Sequence, residues 1–153
     1  MIYFFCLSEL AAVTALFFGV ARGGFCSFGI AQRILRVLVA LPLLVSGVAH
    51  FSITTAMAQI IPPIFPARTL LVMVSGVAEL AGAAGLFFRR TERLASLSIV
   101  LLMIAVFPAN IYAAGQTLYG LRMPMVPSRL FMQSIYIVLV LIAGWGRPVL
   151  RSQ

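Results

Sequence analysis

The sequence predicts an all-α membrane protein: an antiparallel four-helix transmembrane bundle with an additional N-terminal hydrophobic helix. Three observations carry that expectation. Of 153 residues, 63% are apolar and only 9% charged, which leaves too little polar surface to cover a water-soluble domain of this size. Five apolar runs, Met1 to Ala21, Ile34 to Ile61, Thr69 to Phe88, Leu94 to Ala114 and Leu130 to Gly146, can each cross most or all of a hydrocarbon core of about 30 Å. The arginines fall between these runs rather than on one patch, which argues against a nucleic-acid partner despite a net charge of +8 and makes the lipid bilayer the partner instead.

The first run has the length of a span, lacks the basic start of a signal peptide and carries Glu9. It reads as a fifth helix, or, with a misplaced start, as a segment missing from the working protein. Residues 1–30 are therefore set apart from a four-helix membrane domain at 31–153. The second run is too long for one perpendicular helix, so it should tilt or break before Pro62 and Pro63, and Pro42 could kink it near its start. Thr69 to Phe88 and Leu94 to Ala114 are joined by a short Arg-rich turn. Pro124 and Pro127 mark a turn or short surface segment before the last run, and no separate soluble domain fits between any of them.

Orientation follows from charge, since loops retained in the cytoplasm carry the excess of Lys and Arg. Arg22, Arg33, Arg36, Arg89, Arg90, Arg93, Arg147 and Arg151 fall on one side of the bundle, and Arg68, Arg122 and Arg129 on the other. The C-terminus is thus expected in the cytoplasm.

Glu79 stands in the middle of the third run, where a carboxyl is costly and calls for a partner. Depths counted from the cytoplasmic end, at about 1.5 Å per residue, put Glu79 at about 15 Å, His50 and Gln133 at about 21 Å, and Asn110 at about 24 Å. Each lies on a different run. Because Cβ bonds tilt toward a helix's own N-terminus, Glu79 leans outward on its descending helix while His50 and Asn110 lean inward, so the three can converge. These four are the candidates for binding a ligand or exchanging a proton. Ser46, one turn before His50, Ser75 in the small-residue row around Glu79, and Pro108, which frees backbone bonding beside Asn110, support them. Taken alone, Asn110 and Gln133 read as helix-to-helix hydrogen bonds, whereas an acid and a histidine at similar depth raise the case for a site.

Cys6 and Cys26 show neither C-x-x-C nor metal-type spacing and read as unpaired thiols, with no metal expected. No haem ligand pair, iron–sulfur cysteines, flavin motif or nucleotide motif is present, so no catalytic residue can be named.

The segments Ser46-Gly47-Val48-Ala49-His50-Phe51, Pro62-Pro63 with Pro66, and Ser75-Gly76-Val77-Ala78-Glu79-Leu80 resemble the DoxX family of small bacterial membrane proteins. Val106-Phe107-Pro108-Ala109-Asn110-Ile111-Tyr112, Arg129-Leu130 and Gln133 extend that resemblance over roughly Arg33 to Trp145. Residues before about Ile30 fall outside it, and Phe131 stands where the family often has a proline. The resemblance implies a four-helix core in the bacterial cytoplasmic (inner) membrane. It further implies a subunit facing a quinone or another small molecule, with membrane or peripheral oxidoreductase subunits as partners. The alternative is a non-enzymatic assembly or scaffold protein whose polar cluster is structural.

Overall fold

The structure of the protein, a computed structural model, describes residues 28–118 and 121–145. Met1 to Ala21, Glu9, the two cysteines, Arg22, Arg147 and Arg151 lie outside the described residues.

Helix α1 runs Phe28–Ser52 and carries Pro42 inside it, which leaves the Leu38 carbonyl without an intrahelical donor. The chain then breaks at Ile53, with φ −126° and ψ 34°, before the short helix α2, Thr54–Gln59. At the break the Thr54 hydroxyl donates to the His50 carbonyl, taking up a backbone acceptor at the end of α1. The long second run of the sequence thus divides before its prolines. Helix α3, Arg68–Gly85, follows Ala67, which takes the left-handed conformation at φ 52°.

Helix α4, Glu92–Tyr112, starts two residues before its apolar run and places Glu92 in its first turn, where a negative charge suits the helix dipole. Thr91 links the two helices by donating from its hydroxyl to the Gly85 carbonyl at 2.9 Å. Strands β1, Thr117–Leu118, and β2, Leu121–Arg122, pair antiparallel in a short ladder. Helix α5, Val126–Trp145, starts four residues before its apolar run, with Pro127 in its first turn, where a missing N–H costs nothing.

Four of these helices, α1, α3, α4 and α5, are long and apolar enough to cross a membrane. Even the shortest of the four, α3 with 18 residues, extends about 27 Å. Helix α1 packs on α3 and α5, and α4 packs on the same two, which closes a ring of four. Buried side chains concentrate toward one end of that ring: Leu35, Val39 and Leu43 from α1, Ala83 from α3 with Leu86 just after it, Ile99 from α4, and Val140 and Ala143 from α5. Outward-facing Val45, Val48, Leu70, Val77, Leu101 and Val138 stay exposed, the apolar exterior of a multi-pass membrane protein.

Candidate functional site

His50 occupies the last turn of α1 and Glu79 the middle of α3, on the faces where these two helices meet. His50 Nδ1 lies 3.7 Å from Glu79 Oε2, and both side chains are largely shielded. That separation is an ion-pair distance and too long for a hydrogen bond. Nδ1 is committed elsewhere, since it sits 2.8 Å from the Ser46 carbonyl oxygen, one turn back on its own helix. A carbonyl can only accept, so Nδ1 carries the hydrogen, and in a neutral ring Nε2 is left as an acceptor. Glu79 Oε2 is buried and accepts no hydrogen bond. The Ser46 side chain lies close enough to the carboxyl to interact with it. The carboxyl thus has Ser46 within reach and His50 only at ion-pair distance.

The other predicted site residues are held separately. Asn110 Oδ1 accepts from Arg129 Nη1 at 3.2 Å, and Arg129 Nε donates to the Pro124 carbonyl at 3.0 Å. Gln133 Nε2 crosses from α5 to α4 and donates to the Met103 carbonyl at 2.9 Å. The Ser75 hydroxyl donates to the Val72 carbonyl of its own helix at 2.9 Å, and Pro108 lies inside α4 with its ring exposed. Of the four candidates at similar depth, the structure brings His50 and Glu79 together and gives Asn110 and Gln133 partners of their own.

Two polar arrangements were not visible in the sequence. Arg36 reaches Glu92 at 2.7 Å and also donates from Nε to the Ala143 carbonyl at 2.9 Å, joining α1, α4 and α5. Around this junction the Ser96 hydroxyl donates to the Val140 carbonyl at 2.9 Å, and the Arg93 guanidinium lies over the Trp145 ring at 5.1 Å. The available signal was Glu92 itself, an acid placed at a helix start among arginines. The second is Arg129, which is buried although its charge marked it as a loop residue.

A surface hollow between α2 and the start of α3 is lined by Thr55, Ala58, Gln59, Ala67, Arg68 and Thr69, and does not include the His50–Glu79 pair. Among the described residues, no group of three or more His, Cys, Asp or Glu stands close enough to hold a metal ion.

The chain belongs to the family defined by a domain of unknown function, DUF8561, whose model matches residues 39–144. Comparison with curated proteins and with solved structures finds no match. The family match corrects the resemblance to DoxX: the segments that carried it, from Ser46 to Gln133, fall inside the DUF8561 match. Small residues at close crossings, prolines and isolated polar groups recur wherever apolar helices pack in a membrane, so such short motifs do not separate one family of bundles from another. The oxidoreductase partners and quinone that the resemblance implied no longer have a family behind them.

Proposed function

We propose that the protein binds a small lipophilic molecule within the membrane, through a hydrogen bond donated by that molecule to Glu79. The observation that carries this reading is the 3.7 Å gap between the shielded Glu79 Oε2 and the facing His50 Nδ1, which is bound to the Ser46 carbonyl instead. A polar residue kept only to hold helices in register would be expected to have its bond made, as Gln133 and Ser96 do. With Nε2 of a neutral His50 also an acceptor, the pair suits a ligand bearing a hydroxyl or N–H donor, quinols among them.

The arrangement proposed with this site is an antiparallel bundle in a bacterial cytoplasmic (inner) membrane, with the Arg-rich end and the C-terminus inside. Its support is the gathering of Arg36, Glu92, Arg93 and Trp145 at one end, a charged cluster with an aromatic anchor of the kind found at a membrane surface. The second reading, a non-enzymatic assembly or scaffold protein, is favoured by the helix-to-helix bonds of Asn110, Gln133 and Ser96.

Purification of the full chain from native membranes in mild detergent, followed by mass spectrometry of the lipophilic molecules that accompany it, tests the proposal. A donor-bearing molecule should accompany the wild-type chain and fall about tenfold or more in both Glu79→Leu and His50→Ala, the ratio expected for losing about 1.4 kcal/mol of binding. Equal recovery from all three chains would sink the ligand reading.

A further inference from the structure

We infer that Gly76 is a positioning residue that sets the distance between His50 and Glu79. The inference takes His50 and Glu79 as the functional pair proposed above. Where α1 crosses α3, Gly47 and Gly76 face each other. A Cβ placed on Gly76 would lie 2.7 Å from His50 Cβ and 3.2 Å from both the Gly47 carbonyl oxygen and Phe51 Cε2. His50 Cβ is fixed to its backbone and cannot rotate out of the way, so a methyl at Gly76 forces the helices apart at His50 itself.

Glu79 lies three residues after Gly76, on the same side of α3. The His50 ring is tied by Nδ1 to the Ser46 carbonyl of its own helix, so it does not swing to follow a retreating carboxyl. The 3.7 Å separation is therefore set by how closely the backbones approach, and the absence of a side chain at Gly76 is what allows that approach. Gly85 provides a matched comparison between α3 and α4: a Cβ there would meet Ala95 Cβ at the same 2.7 Å, in the densely packed half of the ring.

The chain contains a single histidine, so every imidazole nitrogen signal in a histidine-labelled sample belongs to His50. The measurement is the change in those nitrogen shifts produced by Glu79→Gln in the full chain, reconstituted in lipid bilayers. The shift should be clear in the otherwise wild-type chain, lost when Gly76→Ala is also present, and retained when Gly85→Ala is present instead. A wild-type response in the Gly76→Ala background overturns the inference, as do an equal loss with Gly85→Ala and the absence of any response in the otherwise wild-type chain. Should Gly76→Ala fail to assemble, Gly47→Ala opens the same crossing. Its methyl would meet the end of Leu80 at 2.8 Å and the Gly76 carbonyl oxygen at 3.2 Å without touching His50. A reduced response there supports the inference, and an unchanged one overturns it. Since this readout needs no bound molecule, a chain that shows the response and binds nothing defeats the ligand reading while leaving the role of Gly76 intact.

Discussion

At the Arg36 end of the ring, an acid meets an arginine at 2.7 Å, the arginine also bonds the Ala143 carbonyl, and Ser96 closes a further bond to Val140. Toward the other end, Glu79 faces a histidine at 3.7 Å whose Nδ1 is already bound to the Ser46 carbonyl. The two acids of the described residues share a chemistry and differ in what surrounds them. Glu92, on α4, is joined through Arg36 to two other helices, α1 and α5, and backed by the tight packing of Leu35, Val39, Ile99 and Val140. Glu79 sits where the side chains around it, His50, Ser46 and Leu80, are only partly buried. The difference teaches that one polar contact is drawn tight across the bundle at 2.7 Å while the other, to which the proposed ligand is assigned, stands a full ångström longer.

Removing Arg36 should break this comparison most severely. With Arg36→Ala, Glu92 loses the charge that offsets its burial, and the bundle should be destabilised by about 3 kcal/mol. Replacing both partners by apolar residues, Arg36→Met with Glu92→Leu, should recover most of that loss, because no charge is then left unpaired. Reversible unfolding of each chain in mixed micelles checks both statements, and a double variant as unstable as the single one would assign the loss to packing.

A smaller effect is expected at Gln133, whose bond to the Met103 carbonyl is one neutral hydrogen bond between helices. Gln133→Ala should cost about 0.6 kcal/mol, the average for such bonds in membranes, and should leave any copurifying molecule in place. Loss of that molecule in Gln133→Ala would extend the site to α5 and blur the division between the two ends.

Much of the fold could be read from the chain because the bilayer allows so few solutions: a run of apolar residues of the right length becomes a helix. The runs beginning at Thr69, Leu94 and Leu130 each appear as a helix that starts one to four residues earlier, because hydropathy ends a run at a charge while the helix does not. Glu92, Arg93 and Arg129 are all helical for that reason. The His50–Glu79 meeting was legible because residue counting gives depth along a helix axis. Counting does not give the direction a residue faces around that axis, and this is why the partners of Asn110 and Gln133 could not be read. The burial of Arg129 is hidden for a different reason: a positive charge marks the end of an apolar run, and nothing in the residue itself distinguishes an arginine in a loop from one turned between helices.

The most direct test of the claim that Glu79 serves something other than the fold is the unfolding free energy of Glu79→Leu in bilayers of defined lipid, compared with the wild-type chain. The account predicts a variant as stable as the wild type or more stable, since substitution removes a shielded carboxyl whose facing histidine stands 3.7 Å away with its Nδ1 bound elsewhere. A loss approaching the roughly 3 kcal/mol expected at the Arg36–Glu92 junction would contradict it, and would make the His50–Glu79 pair a second structural clasp of the bundle.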